Sequence, residues 1–160
     1  LPASKRVSLF KNAIVGSSCF VVDERELKRQ QKRNLKDLET PSYTIETVEE
    51  IIAEMKAENP SEEIRLKFII GSDAFLTLAS WKDINKLCEL CFFYVAPRHL
   101  SAKKDCETYA GKLPCSLQWQ LLQTPFIDIS SGLVRERIRA KMHYDYLLPS
   151  EIRESVRDLF

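Results

Sequence analysis

Phe126-Ile127-Asp128-Ile129-Ser130-Ser131-Gly132-Leu133-Val134-Arg135 runs from a short apolar segment, through two hydroxyls and a glycine, into a helix. The apolar residues of Phe126 to Ile129 suit a buried strand, and Leu133, Val134 and Ile138 recur at helical spacing behind it. Ser130 and Ser131 are good N-cap types. A helix N-terminus presents unpaired N–H groups and the positive end of the macrodipole. Arg135, on the first turn, adds a guanidinium that can grip an anion with two hydrogen bonds. The segment reads as a cradle for a phosphate. An ordinary capped helix with a solvated arginine is the competing account, and other segments must decide.

Working outward, strands and helices alternate along the chain. Leu66-Lys67-Phe68-Ile69-Ile70 is a strand closed by Gly71-Ser72-Asp73, and Cys91 to Val95 is a second, ended by Ala96-Pro97-Arg98. Leu117 to Leu122 and Cys19 to Val22 read as further strands. Helices are expected over Leu1 to Gly16, from Thr44 with Ile45, Val48, Ile52 and Met55 on one face, over Lys82 to Leu90, over Ser101 to Ala110, and from Pro149 onward. Ser42 or Thr44 is the expected N-cap of the second of these. The alternation predicts an α/β fold with a mainly parallel, Rossmann-like sheet flanked by helices. Neither a linker nor a repeat interrupts it, so residues 1–160 are read as a single domain.

In open parallel sheets ligands sit beyond the carboxyl ends of the strands. Gly71 would let a ligand approach the backbone there, and Asp73 would accept from ribose hydroxyls. Trp81 is either core or a platform for a planar ring. The charged stretch from Asp23 to Thr40, with Arg25, Lys28, Arg29, Lys32, Arg33 and Lys36, reads as a solvated loop, because acidic residues are interspersed and no aromatic stacks among them.

Composition narrows the function classes. The chain has 44% hydrophobic and 29% charged residues, an ordinary core-forming balance. A net charge of +1 gives no footprint for nucleic acid. No apolar run approaches the roughly 20 residues of a membrane span, and the first residues lack a signal-peptide core. The expectation is a cytoplasmic protein. Five cysteines at irregular spacing fit a reducing compartment better than a disulfide framework. Cys88 and Cys91 form a lone C-x-x-C. With no second pair, and with His99 and His143 lacking ligand spacing, small buried residues are the better reading than metal ligands or a redox pair.

Four motifs in order carry a resemblance: Pro41-Ser42-Tyr43-Thr44-Ile45-Glu46-Thr47; Gly71-Ser72-Asp73 with Trp81 after it; Ile129-Ser130-Ser131-Gly132-Leu133-Val134-Arg135; and Tyr146-Leu147-Leu148-Pro149. In them the chain resembles the nicotinate-nucleotide adenylyltransferase family of the nucleotidyltransferase superfamily. The resemblance implies transfer of the adenylyl group of ATP, with Mg2+, to nicotinic acid mononucleotide, giving deamido-NAD and pyrophosphate. It implies that Thr44 and Trp81 hold the nicotinate ring and its carboxylate, with Ser42 and Tyr43 on the same mononucleotide side; Lys82, just after the tryptophan, would favour the acid by its charge, an exposed lysine being the commoner reading. Gly71 and Asp73 would meet ribose, Ser130, Ser131, Gly132 and Arg135 the ATP phosphates, and Arg98 the neighbourhood of adenine.

The chain departs from the family pattern twice. The phosphate motif usually reads I-S-S-T-x-I-R, and Gly132 stands here for the threonine. The family also opens with G-G-x-F-D-P and an H-x-G-H pair, and these 160 residues contain neither. The expectation is therefore an N-terminally incomplete domain, lacking its first strand–loop–helix unit. Such a chain would be inactive by itself and prone to self-association as a homo-oligomer, because strands next to the absent one would expose unpaired backbone groups. Two other classes stay open: a non-catalytic nucleotide-binding domain, and a nucleotidyltransferase with another acceptor such as nicotinamide mononucleotide or pantetheine phosphate.

Overall fold

The computed structural model describes residues 1–32, 41–113, 115–125, 127–157 and 159. Its chain divides into two compact units: Asp37–Ile127, and Leu1–Lys36 together with Asp128–Phe160.

The central unit is built on a three-stranded parallel sheet in the order β1-β2-β3, formed by Leu66–Gly71, Cys91–Ala96 and Trp119–Leu121. Residues Leu66 to Gly71 pair in step with Cys91 to Ala96. Parallel neighbours need a crossover. Helix α5 (Ile84–Leu90) lies on the connection from β1 to β2, and α6 (Ala102–Ala110) on that from β2 to β3. Alternate residues of β2, Cys91, Phe93 and Val95, have no exposed surface. The same core takes Ile45, Val48 and Ile52 from α3 (Thr44–Glu58), and Phe75 from the short α4 (Ser72–Phe75). The spacing of three and four residues in α3 is why these side chains share a buried face. Met55, expected on that face, is 41% exposed.

The other unit holds α1 (Ala3–Ala13), α2 (Arg25–Lys32), α7 (Ser131–Arg139) and α8 (Arg153–Arg157). Its core is small: Val134, Ile152 and Val156, with Leu9, Ala13 and Leu148 packed against them.

Several sequence expectations are corrected. Cys19 to Val22 is not a strand; Phe20 and Val21 are 66% and 92% exposed. Residues 127–129 form no strand, and Ile127 is 69% exposed, while Phe126 lies outside the described residues. Among the described residues neither segment has a partner strand, and an apolar run without a ladder partner leaves its N–H and C=O groups to water. Strand β3 is shorter than Leu117 to Leu122.

Part of the charged stretch read as a loop is helix α2; Arg33 to Thr40 lie outside the described residues. Asp23 starts this helix, accepting from the Arg25 N–H at 2.9 Å and from its guanidinium at 2.6 Å. Burial alone would raise the Asp23 pKa, but these bonds and the nearby positive charge of Lys28 hold it below the ordinary carboxylate range. Glu26 in the first turn and Arg29 and Lys32 in the last suit the helix dipole. Tyr43, rather than Ser42 or Thr44, takes the N-cap position of α3.

Helix α7 ends in a paired closure, in which the Met142 N–H donates to the Arg137 carbonyl at 2.8 Å and the Lys141 N–H to that of Ile138 at 3.0 Å. This places Lys141 at φ +53°, a left-handed conformation. That conformation costs a non-glycine residue about 1–2 kcal/mol, whereas glycine adds roughly 0.4–1 kcal/mol of unfolded-state entropy. Lys141→Gly should therefore stabilise the protein by about 0.5–1 kcal/mol in urea unfolding. A lower urea midpoint would contradict the closure.

Candidate functional site

The carboxyl ends of β1 and β2 lie side by side, with Gly71 opposite Ala96. Ser72 follows Gly71 and is completely buried, and its Oγ accepts from the backbone N–H of Arg98 at 3.0 Å. A buried hydroxyl without a partner would cost stability, so this bond fastens the turn after β1 to the turn after β2. It also brings the side chains of Asp73 and Arg98 together, Nε to Oδ1 at 3.8 Å, both mostly exposed. A Cβ on Gly71 would lie 2.4 Å from Asp73 Oδ1 and 3.0 Å from Arg98 Nε. The missing side chain thus lets the ion pair fold over the backbone.

A second cluster forms where the start of α3 meets the segment before α5. Ser42, Tyr43 and Thr44 face Ser80, Trp81 and Lys82 across a pocket of ≈ 230 Å³. Trp81 is half-buried and stands edge-on to Phe68, with centroids 6.2 Å apart. Its ring is therefore both backed by the core and on the wall of the pocket. Lys82 Nζ sits 4.3 Å from the centre of the Tyr43 ring and 3.4 Å from Glu46 Oε1. These contacts hold a positive charge at the pocket by cation–π attraction and an ion pair. Asp83, at φ +53°, turns the chain between Lys82 and α5.

The cradle lies in the other unit. Ser130 is the N-cap of α7, its Oγ accepting from the Leu133 N–H at 3.1 Å. One lone pair of its hydroxyl caps the helix, and Ser130, Ser131, Gly132 and Arg135 are all exposed. The first turn of α7 carries no acidic residue, so its positive end lacks the usual intrahelical compensation. Ser131 and Arg135 line a largely apolar pocket of ≈ 470 Å³ with Arg6, Leu9, Phe10 and Ile129. Arg6 was not singled out by the sequence. It comes from the N-terminal helix, and its only signal was a cation one turn before Leu9 and Phe10. A Cβ on Gly132 would make an ordinary 3.6 Å contact with Ser130 Oγ, so crowding does not demand glycine there.

The structure thus gathers the expected residues into three groups: Gly71, Asp73 and Arg98; Ser42, Tyr43, Thr44, Trp81 and Lys82; and Ser130, Ser131, Gly132 and Arg135. Arg98 stands with Asp73. Neither histidine belongs to these groups by a recorded contact: His99 Nδ1 is 3.1 Å from Ser101 Oγ at the start of α6, and His143 is 73% exposed with Asp145 at 3.9 Å. Among the described residues no group of three or more His, Cys, Asp or Glu could hold a metal ion, and no helix is long and apolar enough to cross a membrane.

No family model matches the chain. Individual relatives do. It is 32% identical over 159 residues to a probable nicotinate-nucleotide adenylyltransferase of Dehalococcoides mccartyi, covering 98% of this chain and 71% of the relative. A protein of the same name from Serratia proteamaculans is 32% identical, covering 96% and 70%, and one from Synechococcus sp. is 31% identical, covering 95% and 68%.

The role of Gly71 gives a direct test. Exposed ion pairs contribute about 0–1 kcal/mol, so Gly71→Ala should leave overall stability within roughly 1 kcal/mol while displacing Asp73 and Arg98. A double-mutant cycle on Asp73→Asn and Arg98→Gln should find a small coupling in the native background that vanishes with alanine at position 71. An unchanged coupling would show that the glycine does not shape the pair.

Proposed function

The chain belongs to the nicotinate-nucleotide adenylyltransferase family, and on that premise we propose that it transfers the adenylyl group of ATP to nicotinic acid mononucleotide. The acceptor's phosphate oxygen attacks the α-phosphorus, the bond from that phosphorus to the bridging oxygen breaks, and pyrophosphate leaves. The acceptor is already a nucleophile, so the protein's share is in-line positioning and neutralisation of charge. The observation that carries this reading is the convergence of Thr44, Trp81 and Lys82 on one pocket.

In this reading the pyridine ring lies against Trp81, and its carboxylate is received near the start of α3 with Lys82 supplying positive charge. That charge favours the acid over the amide. Gly71 and Asp73 take ribose hydroxyls, with Arg98 beside them toward the adenine. Ser131, Gly132 and Arg135 bind ATP phosphate oxygens through the uncompensated helix end and the guanidinium, and Arg6 joins them on the same pocket wall. Mg2+ would travel with the ATP phosphates, as it commonly does, supplying further charge neutralisation. The described residues offer no carboxylate cage for it, so no protein ligand to it is assigned. The family's H-x-G-H pair is not among these 160 residues, and the residues named above bind and orient the substrates. Pyrophosphate release, measured with ATP plus either nicotinic acid mononucleotide or its amide, tests the whole proposal. Turnover with neither acceptor, together with no binding of either by calorimetry, would remove it.

Two substitutions separate the two ends of the reaction. Arg135→Ala should weaken ATP binding by about 1.5–3 kcal/mol, the range for a hydrogen bond to a charged group, and leave the mononucleotide almost untouched. Equal losses for both ligands would count against the cradle. Trp81→Ala should do the reverse, lowering affinity for the pyridine nucleotide while ATP binding persists in a protein whose circular dichroism is native. Global unfolding, with a loss near the roughly 3–5 kcal/mol of a truncated buried tryptophan, would assign the ring to the core alone.

A further inference from the structure

Cys88, near the end of α5, is bonded to Cys115, on the approach to β3, across 27 residues of sequence and a Cα–Cα distance of 6.6 Å. The bond opens onto a cavity of ≈ 490 Å³ whose remaining lining is polar or charged: Arg65, Asn85, Glu89 and Ser116. Access decides whether a bridge can exchange, and an exposed one is more open to an attacking thiolate than a buried one. We propose that Cys88 and Cys115 form a thiol–disulfide exchange site, and that the adjoining cavity docks a small zwitterionic peptide thiol as its redox partner. This proposal is independent of the adenylyl-transfer reading.

The chemistry of the lining selects the partner. Arg65 donates from Nη2 to the Cys88 carbonyl at 3.4 Å, which fixes a guanidinium beside the buried sulfur's own residue. A carboxylate of the incoming thiol would pair with it, and an ammonium with Glu89. The two bonded cysteines differ in access, since Cys88 is 3% exposed and Cys115 only half-buried. The incoming thiolate therefore attacks Sγ of Cys115. The electron pair of the Cys88–Cys115 bond leaves on Sγ of Cys88, in the cavity that Arg65 also lines, and that thiolate takes a proton from water. A second thiolate attacks the partner's sulfur in the mixed disulfide, releasing the partner's own disulfide and a Cys115 thiolate, which is protonated in turn. Two partner thiols are oxidised and one protein disulfide is reduced. The reverse sequence closes the tie.

The other cysteines of this unit do not divert the reaction. Cys91 lies three positions from Cys88 but has no exposed surface, and burial pushes its thiol up to about 11. Burial, reinforced by the Asp105 carboxylate, also raises Cys106. Neither supplies an attacking thiolate at neutral pH.

The test equilibrates the whole chain in reduced and oxidised glutathione, then denatures it, alkylates free thiols and maps the peptides by mass. In the oxidised mixture Cys88 and Cys115 should be linked while Cys91 and Cys106 are alkylated. In the reduced mixture all should be alkylated. Cys88→Ser removes the resolving thiol, so a glutathione adduct should accumulate on Cys115. Cys115→Ser leaves only the buried thiol, where the adduct should form roughly tenfold more slowly, as access governs exchange. Native circular dichroism is required of both, and Cys88→Ala replaces Cys88→Ser should the latter misfold. Arg65→Ala should slow reduction by glutathione roughly threefold, within the range of one exposed charge pair, and leave reduction by uncharged 2-mercaptoethanol unchanged. Failure of Cys88 and Cys115 to link under oxidation, or adducts confined to Cys19, would overturn the exchange site. Equal slowing with both thiols would overturn the docking.

Discussion

The fold of the central unit depends on β2 being hydrogen-bonded along both edges to parallel neighbours. A strand in that position cannot turn one face to water as an antiparallel edge strand can. Phe93 and Val95 accordingly disappear into the core on one face, while half-buried Phe92 and Tyr94 pack on each other with centroids 4.9 Å apart on the other. Parallel pairing also decides where function can lie. It sets the carboxyl ends of β1 and β2 level, so that the turns leaving them meet, and the buried Ser72 hydroxyl joins those turns through the Arg98 N–H. One hydrogen bond inside the protein therefore fixes the backbone from which Asp73 and Arg98 project.

The sheet was legible because β1 and β2 are short apolar runs bounded by Gly71 and by Pro97, the pattern of buried strands. The same criterion misread Cys19 to Val22 and the segment up to Ile129. An apolar run states only that a strand would be favourable if something paired with it, and pairing is a long-range fact that periodicity does not contain. Helix α2 failed in the opposite direction. Its stability signals are the Asp23 carboxylate at its start and a charge order that follows the dipole, with Leu27 as its one partly buried aliphatic. A search for apolar spacing passes over such a helix.

The candidate site was legible as residue types and partly as groups. The Ser130-Ser131-Gly132 turn announces itself by capping chemistry and Pro41 to Thr47 by the apolar spacing that follows it, and the structure puts both at helix starts. What the sequence did not contain is which distant residue answers which. Arg98 meets Asp73 across 25 positions, Lys82 meets Tyr43 and Glu46, Arg6 shares a pocket with Arg135, and Cys88 finds Cys115 rather than its neighbour Cys91. Each is a product of strand order and helix placement. The reading of Cys88 and Cys91 as small buried residues holds for their burial and fails for the bond.

These contacts share a physical character. The backbone under the central groups is fixed by buried interactions, whereas the side chains on it are tied by exposed ones. The Asp73–Arg98 pair and the Lys82 contacts with Tyr43 and Glu46 are worth about 0–1 kcal/mol each in water. A charge-assisted bond is worth about 1.5–3 kcal/mol, so under the proposed function a ligand carboxylate or phosphate would outcompete the partner it displaces. The weak internal pairs limit the positions each side chain samples and so reduce the entropy lost on binding, without locking the charge away. A buried ion pair in the same place would be held too firmly to give up its partner. In the proposed reading, exposure of Asp73, Arg98 and Lys82 leaves them open to a ligand, and the buried Ser72 hydroxyl beneath two of them supplies rigidity that exposed groups cannot.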